Sequence, residues 1–141
     1  MSRALLDTDI LSEVLKNHDA VVVREAEGYL AKYGEFTVSV VSVMEIAYGL
    51  HRAVRTKQLR DFEDTLRRTC NVIPFEAEAA LLAGRIEADL ERVGTPIDAP
   101  DVMIAATAIA AKLLVVTGNT SHFEAVRSAG YPVTTTNWRR K

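Results

Sequence analysis

The chain of 141 residues contains a single cysteine, Cys70, and lacks any long apolar run. One cysteine excludes an intrachain disulfide, and its apolar neighbours favour a plain buried thiol over a reactive one. The longest apolar stretches, such as the one around residues 105–111, are too short to span a bilayer. No positively charged leader precedes an apolar segment, so we expect a soluble cytoplasmic protein with no membrane association.

The chain also lacks an excess of basic residues, since its formal net charge is −2. Proteins that coat nucleic acid indiscriminately use many Lys and Arg contacts to phosphates, so the charge argues against this class. Two local basic patches remain candidates for nucleic-acid contacts, although solvated helix faces explain them equally well. They comprise Arg52, Arg55, Lys57, Arg60, Arg67 and Arg68, and at the C-terminus Arg139, Arg140 and Lys141.

No internal repeat or disordered linker interrupts the chain, of which 48% is apolar. This composition and length suffice for one substantial core, so we expect one domain over residues 1–141. Predicted strands lie at residues 3–7, 35–40, 71–74, 113–117 and 131–134. Helical patterns follow Asp7, cover 20–32, begin again at Ser42 with a break near 54–57, and cover 76–92, 101–112 and 122–129. This alternation predicts a three-layer α/β/α fold with a central, mainly parallel sheet.

Three acidic residues fall at strand ends or helix starts of this predicted fold. Asp7 ends the first strand, Glu45 follows the second strand, and Asp101 opens a helix that leads into another strand. Because ligands of parallel sheets gather beyond the carboxyl ends of the strands, we expect these three residues to converge. Clustered carboxylates repel one another and are stabilised by a hard cation such as Mg²⁺ or Mn²⁺. A metal site is the economical interpretation.

Each acid taken singly also has a structural explanation. Asp7, or equally Asp9, is a suitable N-cap for the helix that follows. Ser42 and Glu45 have the spacing of a capping box, in which the two side chains satisfy each other's backbone donors. Asp98 and Asp101 flank a proline at a helix start, where acids favour the helix dipole. For Asp98 we prefer a loop or capping role to a place at the rim of the site.

Four segments together resemble the PIN-domain nucleases, and the length of the chain points to their VapC-type toxins. They are LLDTDILS at 5–12, SVME at 42–45 with Gly49, DVMIAA at 101–106, and VTGN at 116–119 followed by His122 and Phe123. Each motif alone is weak, whereas their order and spacing together are specific. The resemblance extends over nearly all of residues 2–138.

The resemblance implies a metal-dependent endoribonuclease whose acidic triad is Asp7, Glu45 and Asp101, with Mg²⁺, or alternatively Mn²⁺, as the cofactor. In this family a metal-activated water hydrolyses an RNA phosphodiester and leaves 5′-phosphate and 3′-hydroxyl ends. Asn119 stands where many members carry a fourth acid, so a second metal ion is in question. With Thr117, Asn119 is expected to position the reacting groups.

The resemblance also implies two protein partners, a second copy of the chain and a small VapB-like antitoxin that covers the acidic site, commonly with an arginine. Met44, Ile46 and Leu50 could form the surface between two copies, although burial in the chain's own core is the preferred interpretation.

Two other functions remain open. Asp7 and Asp9 after an opening strand are also typical of haloacid-dehalogenase-like phosphatases, but Leu11 and the lack of an evident phosphate-binding lysine disfavour that class. In a non-catalytic binding or regulatory module, the acids would only cap helices. His18, His51 and His122 fall in segments interpreted as loop or helix surface, which leaves no Ser-His-Asp or Cys-His arrangement, and we interpret them as non-catalytic.

Overall fold

A computed structural model of the chain describes residues 2–139. The five strands in this range form one sheet in which every pairing is parallel. In chain order they are β1 (Ala4–Leu6), β2 (Phe36–Ser39), β3 (Cys70–Ile73), β4 (Leu114–Val116) and β5 (Thr135–Thr136). Their spatial order is β3-β2-β1-β4-β5, with β1 at the centre. The predicted α/β fold with a parallel sheet is confirmed.

The helices of the described range alternate with these strands. They are α1 (Thr8–Lys16), α2 (Ala20–Tyr33), α3 (Val40–Arg52), α4 (Thr56–Thr69), α5 (Ala77–Arg92), α6 (Ala99–Ala111) and α7 (Thr120–Ser128). Between residues 2 and 139, no helix has both the length and the apolar character needed to cross a bilayer.

The central strands send alternate side chains to the two faces of the sheet, as the period of two residues requires. Leu5 and Val115 belong to one buried cluster, which α5, α6 and α7 cover. Leu6 and Val116 belong to a second buried cluster beneath α1, α2, α3 and α4. The sheet is therefore the middle of three layers, which explains why β1 and β4 are wholly apolar.

Two predicted elements are wrong in their position. The last strand forms at Thr135–Thr136 and not at 131–134, because Pro132 has no amide donor and Tyr131 and Val133 are buried in the core instead. Helix α3 begins at Val40, two residues before Ser42, because the Ser39 hydroxyl accepts a hydrogen bond from the Val41 amide at 3.0 Å.

The three residues of the candidate dimer face, Met44, Ile46 and Leu50, differ in their exposure. Ile46 is buried and Leu50 packs against the same core, in agreement with the preferred interpretation, whereas Met44 is 57% exposed.

Cys70 is partly buried at the edge strand β3, and burial raises the pKa of its thiol. The thiol is therefore protonated at neutral pH and poorly reactive.

Tyr29 fastens the start of the central strand. Its hydroxyl accepts a hydrogen bond from the Ala4 amide at 3.0 Å and donates one to the Ala4 carbonyl at 3.3 Å, all in the interior. We expect Tyr29→Phe to lower the free energy of unfolding by roughly 1–3 kcal/mol, because it leaves buried backbone groups without a partner. Urea denaturation measures this change. The matched control is Tyr48→Phe, since Tyr48 is 59% exposed, and an equal loss in both variants would contradict the assignment.

Candidate active site

The site is built around Asp7, the first residue after the central strand β1. Its amide continues the sheet ladder by donating to the Val116 carbonyl at 2.9 Å, which holds the side chain at the carboxyl edge of the sheet. One carboxylate oxygen accepts from the Thr8 amide at 2.8 Å, and the other accepts from the Thr117 hydroxyl at 2.7 Å. Asp7 therefore caps α1, as the structural explanation predicted, while its second oxygen faces the loop after β4.

Burial makes the charge of Asp7 unfavourable. Only 3% of the residue is exposed, and loss of water raises the pKa of its carboxyl to about 7. The hydrogen bond from Thr117 lowers this pKa, whereas the nearby charges of Asp9 and Asp101 raise it further. A cation beside Asp7 would favour the ionised form and offset this cost.

Glu45 reaches the same region from α3. The capping-box interpretation of Ser42 and Glu45 is wrong, because both residues lie inside the helix and Ser39 caps it. The Thr8 hydroxyl donates instead to the Glu45 Oε1 atom at 2.6 Å, and the Ser42 hydroxyl oxygen lies 2.9 Å from that of Thr8. Glu45 is thereby tied to the residue that follows Asp7.

Asp101 lies in the first turn of α6, where its side chain is 15% exposed. The Asn119 amide nitrogen donates to the Asp101 Oδ2 atom at 3.3 Å. The Asn119 backbone amide in turn donates to the Thr117 hydroxyl, which donates to Asp7. Hydrogen bonds thus connect Asp7, Thr117, Asn119 and Asp101, so the structure brings together acids that were predicted at a strand end and at a helix start.

His122 lies in the first turn of α7 with its side chain 33% exposed, in agreement with the predicted helix surface, and it also contacts this cluster. Its Nδ1 atom lies 2.5 Å from the Asp101 Oδ2 atom and 2.9 Å from the Asn119 amide nitrogen. The signal in the sequence is its position three residues after Asn119, because α7 begins at Thr120 and brings both side chains to one side of its first turn.

Asp98 joins the cluster from the residue before α6. Asp98 occupies the N-cap position in the loop before α6, as predicted, but its side chain makes no capping hydrogen bond among residues 2–139. Its carboxylate offers an oxygen that lies, with one ligand atom each of Asp101 and His122, in a group spanning at most 4.8 Å. These donor types, carboxylate oxygen and imidazole nitrogen, fit a divalent cation.

Asp9 is a further acid of the site that the sequence analysis considered only as a cap or as part of the phosphatase pattern. Its Oδ2 atom accepts from the Gly118 amide at 2.9 Å, and the Arg139 guanidinium lies 3.5 Å from the same oxygen. Its Oδ1 atom is buried without a hydrogen-bond partner among residues 2–139, and burial raises the pKa of the carboxyl. A Cβ at Gly118 would lie 2.6 Å from the Arg139 guanidinium and 2.7 Å from the Asp9 Oδ2 atom, so a larger residue would require these two side chains to shift.

The two basic patches have different surroundings. Arg139 lies against the site through Asp9 and, at 3.5 Å, Glu13, whereas Arg140 and Lys141 lie outside the described residues. In the patch on α4, ion pairs link Lys57 to Asp61 at 3.0 Å and Arg67 to Asp64 at 3.1 Å, on side chains that are largely exposed. This patch matches a solvated helix face.

The buried charge of Asp7 predicts how stability depends on pH. The pKa of Asp7 is raised in the folded chain, so its ionisation lowers the stability of the metal-free protein as the pH rises from about 4 to about 7. We expect Asp7→Asn to be more stable than the unchanged chain at pH 8 in EDTA, by up to about 4 kcal/mol, with no gain at pH 4. Urea denaturation across this pH range measures the difference. A gain that is equal at every pH, or a similar gain in the control Asp19→Asn, would contradict the prediction.

The Thr117 hydroxyl supports the proposed metal site, and removing it should weaken metal binding. Thr117→Val keeps the shape of the side chain but removes two hydrogen bonds. They are the one that Thr117 donates to Asp7 and the one that it accepts from the Asn119 amide. We expect the affinity for Mn²⁺ at pH 7, measured by calorimetry, to fall about tenfold. Thr107→Val is the matched control, because among the described residues the buried Thr107 hydroxyl bonds only to the Met103 carbonyl of its own helix. Unchanged affinity in Thr117→Val would show that the hydroxyl does not support the site.

Comparison with known proteins agrees with this geometry. The PIN domain family matches residues 4–128. A tRNA(fMet)-specific endonuclease VapC of Shigella flexneri is 35% identical over 127 residues, which are 89% of this chain and 93% of that protein. A VapC ribonuclease of Pyrococcus furiosus is 36% identical over 117 residues, which are 83% of this chain and 76% of that protein.

Solved structures show the same fold. In the DNA-bound VapBC of Salmonella typhimurium, one chain superposes with a TM-score of 0.81 at 29% identity, covering 98% of this chain and 99% of that one. In the DNA-bound VapBC2 of Rickettsia felis the TM-score is 0.80 at 26% identity, with 96% and 98% covered. The haloacid-dehalogenase-like alternative receives no support from these matches. The chain belongs to the PIN-domain family of nucleases, alongside the VapC ribonucleases.

Proposed function

We propose that the chain is a divalent-metal-dependent endoribonuclease and the toxin of a toxin–antitoxin pair. The observation that carries this proposal is the series of hydrogen bonds, buried at Asp7 and partly buried elsewhere, from Asp7 through Thr117 and Asn119 to Asp101, with Glu45 joined through Thr8. Helix caps alone do not require a carboxylate at 3% exposure whose pKa is raised to about 7. A bound cation would favour the ionised form of this buried carboxylate and offset the cost of its burial.

The proposed cation ligands are Asp7, Glu45 and Asp101. Mg²⁺, which Mn²⁺ can replace, would supply a nucleophilic water and neutralise charge on the scissile phosphate, so that 5′-phosphate and 3′-hydroxyl ends result. Within the chain, the Thr117 hydroxyl orients Asp7 and the Thr8 hydroxyl orients Glu45. Asn119 carries no charge, and its side-chain amide holds Asp101 in place by donating a hydrogen bond.

The substrate and partners follow from the relatives. Curated relatives are named as ribonucleases, one of them as specific for tRNA(fMet), and we propose RNA as the substrate, cleaved in the cytoplasm. Solved neighbours are toxin–antitoxin complexes, and we propose that this chain pairs with a small VapB-like antitoxin and forms a homodimer. An antitoxin arginine that enters the site would meet the carboxylates of Asp7 and Asp101, and such charge pairing would block the cation.

RNA cleavage tests the proposed ligands. The assay contains the purified chain, transfer RNA and millimolar Mg²⁺ or Mn²⁺. We expect RNA cleavage that EDTA abolishes. The cleavage rate should fall roughly 100-fold or more in Asp7→Asn, Glu45→Gln and Asp101→Asn. Gel electrophoresis of end-labelled RNA measures the rate. Asp61→Asn is the control, because Asp61 is an exposed carboxylate on α4. Full activity of Asp101→Asn, or hydrolysis of p-nitrophenyl phosphate without RNA cleavage, would contradict the proposal.

Growth of a host cell tests the toxin assignment. Induced expression of the chain should arrest growth, and Asp101→Asn, expressed to the same level, should not. Growth curves and immunoblots together measure this difference. An Asp101→Asn chain that is as toxic as the unchanged one would show that toxicity does not arise from this site.

A further inference from the structure

His122 places a second kind of ligand atom in the carboxylate site. It lies in the first turn of α7, and its side chain is 33% exposed, so both solvent and a small ion can reach it. Its Nδ1 atom lies 2.5 Å from the Asp101 Oδ2 atom. An imidazole aimed at the same oxygen that a cation would use is a candidate ligand itself.

Asn119 determines what the imidazole presents to the site. The Asn119 amide nitrogen, a donor, lies 2.9 Å from His122 Nδ1 and 3.3 Å from Asp101 Oδ2. In the tautomer that carries the ring proton on Nε2, the amide donates to both atoms, and the lone pairs of His122 Nδ1 and Asp101 Oδ2 are directed toward one another. Two such lone pairs in contact repel, and a shared cation removes this repulsion.

Asp98 supplies the third ligand atom. It is exposed, and its carboxylate together with the ligand atoms of Asp101 and His122 spans no more than 4.8 Å. One cation with ligands at about 2.0–2.3 Å holds opposite ligands about 4–4.6 Å apart, so small side-chain rotations suffice to bring these three onto one ion. Asp98, which has no capping hydrogen bond within residues 2–139, is free to make such a rotation.

We propose that His122 is a metal ligand of this nuclease site, acting with Asp101 and Asp98, and that it makes the site bind Mn²⁺ more tightly than Mg²⁺. This inference rests on the proposed function and adds a nitrogen ligand to its carboxylates. Imidazole suits first-row transition metals, whereas Mg²⁺ prefers oxygen ligands only. The neutral Asn119 then has an orienting role, and His122 supplies a ligand in place of the fourth acid that many family members carry.

Pulsed EPR of bound Mn²⁺ tests this assignment directly, with the full, untagged chain. Coordination by an imidazole produces a ¹⁴N coupling to the manganese, which carboxylates do not. We expect this coupling in the unchanged chain and in His51→Asn, the control at the exposed end of α3, and its loss in His122→Asn. Persistence of the coupling in His122→Asn, or its absence from the unchanged chain with Mn²⁺ bound, would overturn the inference.

Calorimetry with Mn²⁺ and Mg²⁺ gives a second readout. His122→Asn should lower the Mn²⁺ affinity about tenfold or more and the Mg²⁺ affinity by less than about threefold. His122→Asp, which restores an oxygen ligand, should bind Mg²⁺ at least as tightly as the unchanged chain. Equal losses for both ions in His122→Asn would contradict a nitrogen ligand.

Asp101→Asn separates this inference from the proposed function. If Mn²⁺ binding disappears in Asp101→Asn but the ¹⁴N coupling is missing from the unchanged chain, the carboxylate site stands and the His122 assignment is wrong. If Mn²⁺ does not bind the unchanged chain, or binds Asp101→Asn equally well, both the inference and the proposed site are wrong.

Discussion

Burial of the Asp7 carboxylate at the end of the central strand is the constraint that organises this edge of the molecule. The strand ladder continues through the Asp7 amide, which places the side chain in the interior at the carboxyl edge of the sheet. A buried carboxylate requires hydrogen bonds or a cation, and two hydrogen bonds, from Thr8 and Thr117, are present. The raised pKa shows that they do not suffice to make the charge favourable.

The neighbouring residues are explained by the same constraint. Thr117 donates to Asp7 and accepts from Asn119, and Asn119 holds Asp101, so the position of one carboxylate determines that of the next. A second acid, Asp9, adds negative charge and raises the pKa of Asp7 still more. A chain that concentrates acids against one another sacrifices stability, which is the usual relation between a stable fold and a preorganised site. The two apolar cores stabilise the scaffold, and a cation bound at the proposed site would offset the repulsion among the acids.

The order of strands and helices in the sequence predicts where the acids of the site lie. It does not predict contacts between side chains that are distant in the sequence. Asp7 and Asp101 could be predicted, because in a parallel α/β sheet the strand ends and the starts of the connecting helices lie at the same edge. Glu45 was placed correctly after β2, but its capping box was not, since a helix start depends on which nearby hydroxyl caps it. His122 and Arg139 could not be assigned, because their contacts with Asp101 and Asp9 form only once α7 and the C-terminal segment have docked.

Crystals grown with Mn²⁺ test the central claim, that these acids form one cation site, most directly. An anomalous difference map at the manganese absorption edge should show a peak bonded to carboxylate oxygens of Asp7 and Asp101, with Glu45 bound directly or through water. A peak elsewhere on the chain, or none at a concentration that supports RNA cleavage, would contradict the account.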